Sequence, residues 1–173
     1  MRIGIGVVAL IAAGLGYLWF RPNRAEIDAR LGLEHWDVVA DGLHNSNTDM
    51  ILWRGDFLLV HDARPYHFGS PAAQLVVRRS RDGRRWVELA RLAVPGKDIR
   101  DPKLAVIGGK LLLYALPNSG KMATPEGTVV ASSEDAVQWT PFEPVAPAGW
   151  LFWRPKSNDG GATWYVPAYW HAH

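Results

Sequence analysis

The 173-residue chain contains no cysteine, so disulfide bonds, zinc–thiolate sites and cysteine nucleophiles are excluded. The net charge is only +2, and the arginines form no run as dense as that of a nucleic-acid-binding tail, so we predict no nucleic-acid partner. The sequence also lacks a histidine pair with helical spacing and a glycine-rich phosphate loop. We therefore predict neither a metal site nor a cofactor.

Tryptophan and short apolar runs are abundant instead. Nine tryptophans occur, and 48% of the residues are hydrophobic, which is typical of a globular protein. From Trp36 onward, short apolar segments such as Met50–Trp53 and Leu104–Ile107 alternate with Gly, Pro, Asp and Asn. This spacing indicates an all-β domain and not a helical one.

The N-terminal segment differs from the rest because residues 3–20 carry no charge. As a helix this run would span about 27 Å, close to the apolar thickness of a bilayer. Tyr17 and Trp19 would lie at the interface, and Arg21 ends the run. We predict a transmembrane anchor or uncleaved signal over residues 1–22, with residues 3–20 in the membrane. A cleaved signal peptide is the alternative, but no small-x-small cleavage site precedes Arg21.

A repeat follows the N-terminal segment. Residues 77–86 align with residues 130–139, so that Trp86 and Trp139 are 53 positions apart, and residues 52–59 align with 106–113. A four-stranded unit of this length is typical of one β-propeller blade. We predict a linker with a possible short helix over residues 23–39, and an incomplete propeller of about two and a half blades over residues 40–173. Closure would need further blades or a partner chain.

Each repeat carries a short motif at its outer hairpin. The first copy consists of Ser80, Asp82, Gly83 and Trp86, and the second of Ser133, Asp135 and Trp139, with Ala136 in the Gly position. An Asp in such a turn accepts backbone N–H bonds, Gly takes a positive φ, and Trp packs beneath the loop. These residues are therefore predicted to be structural. The motif resembles the Asp-box of the sialidase superfamily.

A third match covers residues 157–164 and ends at Trp164, only 25 positions after Trp139. That is half the repeat period. In the frame of the repeat it coincides with the turn between the first two strands of a unit. We predict a plain Asp-Gly hairpin turn there, and not a third motif of the same kind.

Charged residues recur where each repeat begins, at Asp49 in the first unit, at Arg100, Asp101 and Lys103 in the second, and at Arg154 and Lys156 in the third. The inner strands of a propeller line its channel, so these charges would converge on a site for an anion or a sugar. His61 and Tyr114 follow the second strands and could form its walls. The alternative is that each charge pairs with a neighbour, as Arg100 would with Asp98 or Asp101.

The resemblance to sialidases implies an exo-acting glycoside hydrolase for terminal acidic sugars, facing the periplasm or the exterior. It makes Arg100 and Arg154 candidate clamps for the sugar carboxylate, and Asp49 or Asp101 the acid/base. The family's third Arg and its Tyr nucleophile have no counterpart, so we predict that this chain is inactive. Two alternatives stay open. One is a five-bladed glycosidase in which Asp49 and Asp101 are the paired carboxylates, and the other is a non-catalytic, membrane-tethered propeller that serves binding or assembly.

Overall fold

A computed structural model describes residues 2–20 and 29–171 of the chain, which divides into two units, Met1–Trp36 and Asp37–His173. In the first unit the described elements are the helix α1, Arg2–Phe20, and a short 3-10 helix, Ala29–Leu31. The 3-10 helix lies within the predicted linker. The linker's residues 23–28 lie outside the described residues.

The predicted N-terminal transmembrane helix is wrong. Among the described residues, no helix is both long enough and apolar enough to cross a membrane. The predicted fold class, which placed a partial propeller behind such an anchor, is corrected accordingly. A spanning helix needs about 20 predominantly apolar residues. Helix α1 has 19 residues and begins at the charged Arg2.

Antiparallel sheets make up the regular structure of the second unit. The first sheet has the strand order β1-β2-β3-β4, with β1 His44–Trp53, β2 Asp56–Arg64, β3 Gln74–Ser80 and β4 Val87–Leu92. The second has the order β5-β6-β8-β9 with β7 also paired to β6, and comprises β5 Asp98–Ile107, β6 Lys110–Ser119, β7 Thr124–Pro125, β8 Val129–Ser133 and β9 Glu143–Pro144. The third sheet pairs β10 Trp150–Phe152 with β11 Ala168–Trp170.

Equivalent tight turns join the first two strands of the first and second sheets. Arg54 and Gly55 have φ values of 52° and 85°, and Gly108 and Gly109 have values of 58° and 80°. Two successive positive φ angles define a two-residue hairpin turn whose twist matches that of the strands. The hairpins close at Trp53 opposite Asp56 and at Ile107 opposite Lys110. The sequence repeat therefore corresponds to a repeat of backbone geometry.

Each first strand also contains a bulge. The register of β1 shifts between Ser46 and Asp49, and that of β5 between Arg100 and Lys103. A non-glycine residue with a positive φ lies inside each bulge, Asn47 at 48° and Asp101 at 52°. A bulge re-aims the side chains of the strand that carries it. With the bulges included, the strands begin at His44 and Asp98, six residues before the apolar segments that start at Met50 and Leu104.

The core joins the first two sheets. Alternate residues of β2 and β3, including Leu58, Val60 and Val77, are fully buried in one cluster with Ile99 and Leu104 of β5. The period-two alternation of strand side chains produces this apolar face. Strand β5 packs on β1, β2 and β3, so the bulges of β1 and β5 belong to neighbouring strands. This packing places the charged ends of the two sheets side by side.

Candidate functional site

A buried ion pair extends the core face of β2. Asp62 and Arg64 follow Leu58 and Val60 in the same alternation, and their side chains are 0% and 1% exposed. Arg64 Nη1 lies 2.6 Å from Asp62 Oδ2, and Asp62 Oδ1 accepts bonds from the backbone N and Oγ of Ser46 at 3.1 and 2.8 Å. Buried charges are tolerated when they are paired and hydrogen-bonded in this way.

The bulge of β1 completes the surroundings of that carboxylate. Asn47 donates its Nδ2 hydrogen to Asp62 Oδ2 at 3.0 Å, and Arg64 Nη2 donates to Ser46 Oγ at 2.9 Å. Asp62 thus accepts four bonds from three residues, which is close to its full capacity. This network fixes the end of the first sheet and leaves Asp62 little capacity for a ligand.

Arg100 of β5 is bound by a neighbouring aspartate. Its Nε and Nη2 donate to the two carboxylate oxygens of Asp98 at 2.9 and 2.8 Å, and Nη2 also donates to the His67 carbonyl at 2.8 Å. Ser70 donates its backbone N–H to Asp98 at 2.7 Å. Asp98 is the main cause that raises the pKa of Arg100. The guanidinium predicted to clamp a sugar carboxylate already holds a carboxylate of its own chain.

Asp49 connects parts of all three repeats. Its buried Oδ2 accepts the backbone N–H of Leu104 in the second sheet at 2.7 Å. Its Oδ1 forms an ion pair with Arg154, which follows β10. Asp49 and Arg154, predicted as acid/base and carboxylate clamp, are therefore paired with each other. We call this contact the Asp49 clamp.

Asp101 and Lys103 lie at the bulge of β5 and are half-buried. Burial raises the pKa of Asp101, and the nearby Lys103 ammonium opposes that change. Burial likewise lowers the pKa of Lys103, against the opposing charges of Asp101 and Asp62. Within the described residues nothing donates a hydrogen bond to the Asp101 carboxylate. Lys103 Nζ donates to the Pro102 carbonyl at 3.1 Å, and the Asp101 carboxylate is open to a ligand.

Exposed aromatic rings lie next to this pair. Lys103 Nζ is 5.6 Å from the centroid of the Trp153 ring, within the range of a cation–π contact. The Trp153 and Tyr169 rings are 6.5 Å apart and inclined by 32°. Both side chains are about half exposed, at 49% and 48%. We call the patch formed by Asp101, Lys103, Trp153 and Tyr169 the Asp101 surface.

Of the remaining predicted site residues, Tyr114 lies opposite Lys103, whereas His61 and Lys156 lie elsewhere. His61 precedes Asp62 on β2 and so points to the opposite face of the sheet. There its Nε2 accepts a bond from Arg78 Nε at 3.1 Å, and burial lowers its pKa, so His61 is engaged within its own sheet. Tyr114 is buried in β6, opposite Lys103, and burial raises its pKa. The backbone of Lys156 forms a β-bridge with that of Tyr165, and Lys156 lines a pocket of about 660 Å³.

The two outer-hairpin turns have matching hydrogen bonds. In the first, Asp82 Oδ1 accepts the backbone N–H groups of Arg84 and Arg85 at 2.9 and 2.8 Å, and Trp86 Nε1 donates to the Gly83 carbonyl at 2.9 Å. These bonds hold the pKa of Asp82 at about 2. Ser80 Oγ accepts the backbone N–H of Gly83 at 2.9 Å, which closes the turn.

The second turn repeats this pattern 53 residues later. Asp135 Oδ1 accepts the N–H groups of Val137 and Gln138 at 2.8 Å each, and Trp139 donates to the Ala136 carbonyl at 3.1 Å. Ala136 adopts a φ of 64° where the first turn has Gly83 at 71°. Trp139 packs on the core cluster. The residues of both turns are engaged in holding the hairpins.

The turn at residues 157–164 has more internal bonds than the plain turn that we predicted. It does connect the strand segments that pair at Lys156 and Tyr165, as the repeat spacing indicates. In addition, Asp159 Oδ1 accepts the N–H of Thr163 at 2.9 Å, and Trp164 Nε1 donates to the Gly161 carbonyl at 3.1 Å. The local sequence thus forms the same Ser-Asp-Trp bonding at a different place in the sheet.

In comparisons with known proteins, no protein-family model matches the chain, and no curated protein is similar to it. The resemblance to sialidases stays a prediction.

Sequence reasoning overlooked Asp62, Arg64 and Trp153. A signal for the first two exists, because they continue the apolar alternation of Leu58 and Val60 with charged residues.

Proposed function

We propose that the chain binds carbohydrate at the Asp101 surface and does not hydrolyse it. The contact of the Lys103 ammonium with the exposed Trp153 ring, beside the Asp101 carboxylate, is the observation that carries this proposal. A pyranose ring has an apolar C–H face and a rim of hydroxyl groups. Trp153 would cover the face, while Asp101 would accept and Lys103 would donate hydrogen bonds at the rim.

The charges around this surface favour a neutral sugar over an acidic one. Arg100 and Arg154, the two predicted carboxylate clamps, are bound to Asp98 and Asp49. Taking up a sugar carboxylate would require one of these pairs to break, and the Asp partners are 3% and 0% exposed. An unpaired buried carboxylate is costly. The expected ligand is therefore a neutral sugar residue.

Hydrolysis of a glycoside usually needs two carboxyl groups on opposite sides of the scissile bond. Asp101 would supply one. Asp49 is engaged in the Asp49 clamp, and Asp62 accepts four hydrogen bonds from its own sheet. The arrangement therefore supports binding better than catalysis.

Replacing Trp153 tests the proposal. We would screen the protein against immobilised neutral and sialylated oligosaccharides and measure the strongest hit by titration calorimetry. W153A should weaken binding about tenfold or more, because it removes the stacking surface. W170A is the matched control, since Trp170 is also exposed, at 60%, in the third sheet but lies outside the Asp101 surface. Absence of binding to every oligosaccharide, or equal losses in W153A and W170A, would refute the proposal.

A glycoside hydrolase is the second candidate. Two properties of Asp101 favour it: a pKa raised by burial, as a general acid requires, and a positive φ of 52°, a conformation that is costly for a non-glycine residue and recurs at functional sites. Fluorogenic glycosides distinguish the candidates. We expect no fluorophore release, and release that is abolished by D101N would establish the hydrolase. We also propose that the protein faces the periplasm or the exterior, as a carbohydrate ligand would require.

A further inference from the structure

The tip of the β3–β4 hairpin concentrates positive charge. Arg79, Arg81, Arg84 and Arg85 fall within seven residues, and all four are exposed, with Arg81 at 88% and Arg79 at 46%. We call this group the arginine hairpin. Asp56 is the shared partner of Arg79 and Arg81, at 3.7 Å from each, which is long for an ion pair. Such exposed pairs leave guanidinium groups open to other anions.

The second turn shows that these arginines are not needed to build the hairpin. Both turns form the same Ser, Asp and Trp bonds with nearly equal lengths. At the positions of the four arginines, however, the second turn has Ser132, Glu134, Val137 and Gln138. The fold therefore accepts an acidic or neutral tip. The hydrogen bonds of the turn therefore do not require the clustered charge.

We infer that the arginine hairpin is a binding surface for an acidic polysaccharide. Guanidinium groups present planar pairs of N–H donors that match the oxygens of sulfate and carboxylate groups. A polysaccharide repeats such groups along an extended chain, so several arginines can engage one molecule. The inference does not rest on the Asp101 surface, because it uses neither its residues nor a neutral sugar.

Other polyanions fit the hairpin less well. Sites for single-stranded nucleic acid combine positive charge with aromatic rings on which bases stack. The aromatic ring of this turn, Trp86, is half-buried and bonded to Gly83. Binding within a lipid surface needs large apolar side chains that insert. In the described tip the exposed apolar residue is Val87, which is small.

An exchange of residues between the two turns tests the inference. The triple variant R81E/R84V/R85Q gives the first turn the residues of the second. Heparin is the sulfated probe and polygalacturonate the carboxylated one, with affinity measured between 50 and 300 mM salt. We expect the variant to bind at least tenfold more weakly than the wild type at low salt. The slope of log affinity against log salt should fall by about three, one for each cation removed.

The reverse exchange, E134R/V137R/Q138R, gives a result that does not depend on the stability of the first turn. It should strengthen binding by a similar factor, because it creates a second arginine tip on the same backbone. Near-ultraviolet circular dichroism and the thermal midpoint verify folding. Should the first triple variant unfold, R84V/R85Q replaces it.

Three results would overturn the inference. The first is wild-type affinity for both polysaccharides in the R81E/R84V/R85Q variant. The second is tighter binding, at equal salt, to a DNA oligonucleotide or to phosphatidylserine vesicles than to either polysaccharide. The third is failure of the wild type to bind heparin or polygalacturonate at 50 mM salt. The R81E/R84V/R85Q variant should keep wild-type affinity for neutral oligosaccharide, so failure here is distinguishable from failure at the Asp101 surface.

Discussion

The first and second sheets have the same backbone at their charged ends but use it differently. Both have a bulge in the first strand and a residue with positive φ inside it, Asn47 in one and Asp101 in the other. In the first sheet the bulge bonds inward, to the buried Asp62. In the second sheet the positions equivalent to Asp62 and Arg64 are Leu116 and Asn118, and Asp101 has no such partner.

This difference separates structural polar groups from available ones. The first sheet encloses its charges in a network of hydrogen bonds in which Asp62 accepts four bonds, although the buried Nε of Arg64 has no partner among the described residues. The second sheet fills the same space with Leu116 and leaves a half-buried carboxylate and ammonium beside exposed aromatic rings. Equal backbone geometry therefore does not imply equal function. The following variants test the distinction.

The largest effect is expected for R64N, which places the residue of the second sheet in the first. It leaves the fully buried Asp62 carboxylate without its cation, and we expect a loss of about 3–5 kcal/mol in the free energy of unfolding. The double variant D62L/R64N completes the transfer and removes the charge as well. Urea denaturation should show it to be more stable than R64N. A double variant less stable than R64N would mean that the pair is not the stabilising unit.

A smaller loss is expected for D49A, which removes the Asp49 clamp. The buried N–H of Leu104 loses its acceptor, and Arg154 loses its partner, so we expect a loss of about 2 kcal/mol in the free energy of unfolding, measured by urea denaturation.

D101A should change the unfolding free energy by only about 0.5 kcal/mol, because Asp101 receives no hydrogen bond from the described residues. Equal losses in D49A and D101A would remove the contrast between a structural and an available aspartate.

The smallest effect concerns pH. Because burial raises the folded-state pKa of Asp101, ionisation of its carboxyl favours the unfolded chain. The stability that the protonated carboxyl contributes at low pH is lost as pH rises from about 4 through the folded-state value. D101N should therefore gain stability relative to the wild type across this range. A difference that is independent of pH would reflect only the better fit of Asn to a positive φ.

Local chemistry made part of the structure predictable. The bonds of the Asp82 turn and the hairpin at Gly55 involve residues within a few positions of each other, so residue type and spacing suffice to indicate them. Hydrophobic alternation likewise indicated a sheet-rich domain. The turn that ends at Trp164 shows the limit of the repeat period, because its own residues form the Ser-Asp-Trp bonds wherever the sheet places them.

Contacts between distant residues could not be read in the same way. Asp49 was assigned to catalysis because nothing near it in sequence reveals Leu104, 55 residues away. Arg100 was open to two interpretations, and its contact with Asp98 corresponds to the one in which neighbouring charges pair. The predicted transmembrane helix is likewise not found, because no described helix is long and apolar enough to cross a membrane.

The Asp49 clamp also makes one amide a reporter of folding. The Leu104 N–H is donated to the Asp49 carboxylate of the other sheet, so its protection from solvent exchange depends on the two sheets remaining in contact. Amides within the β5–β6 ladder depend on the second sheet alone. Comparing their exchange rates separates partial opening between sheets from global unfolding. One hydrogen bond thus reports on the contact between two sheets that share an apolar core.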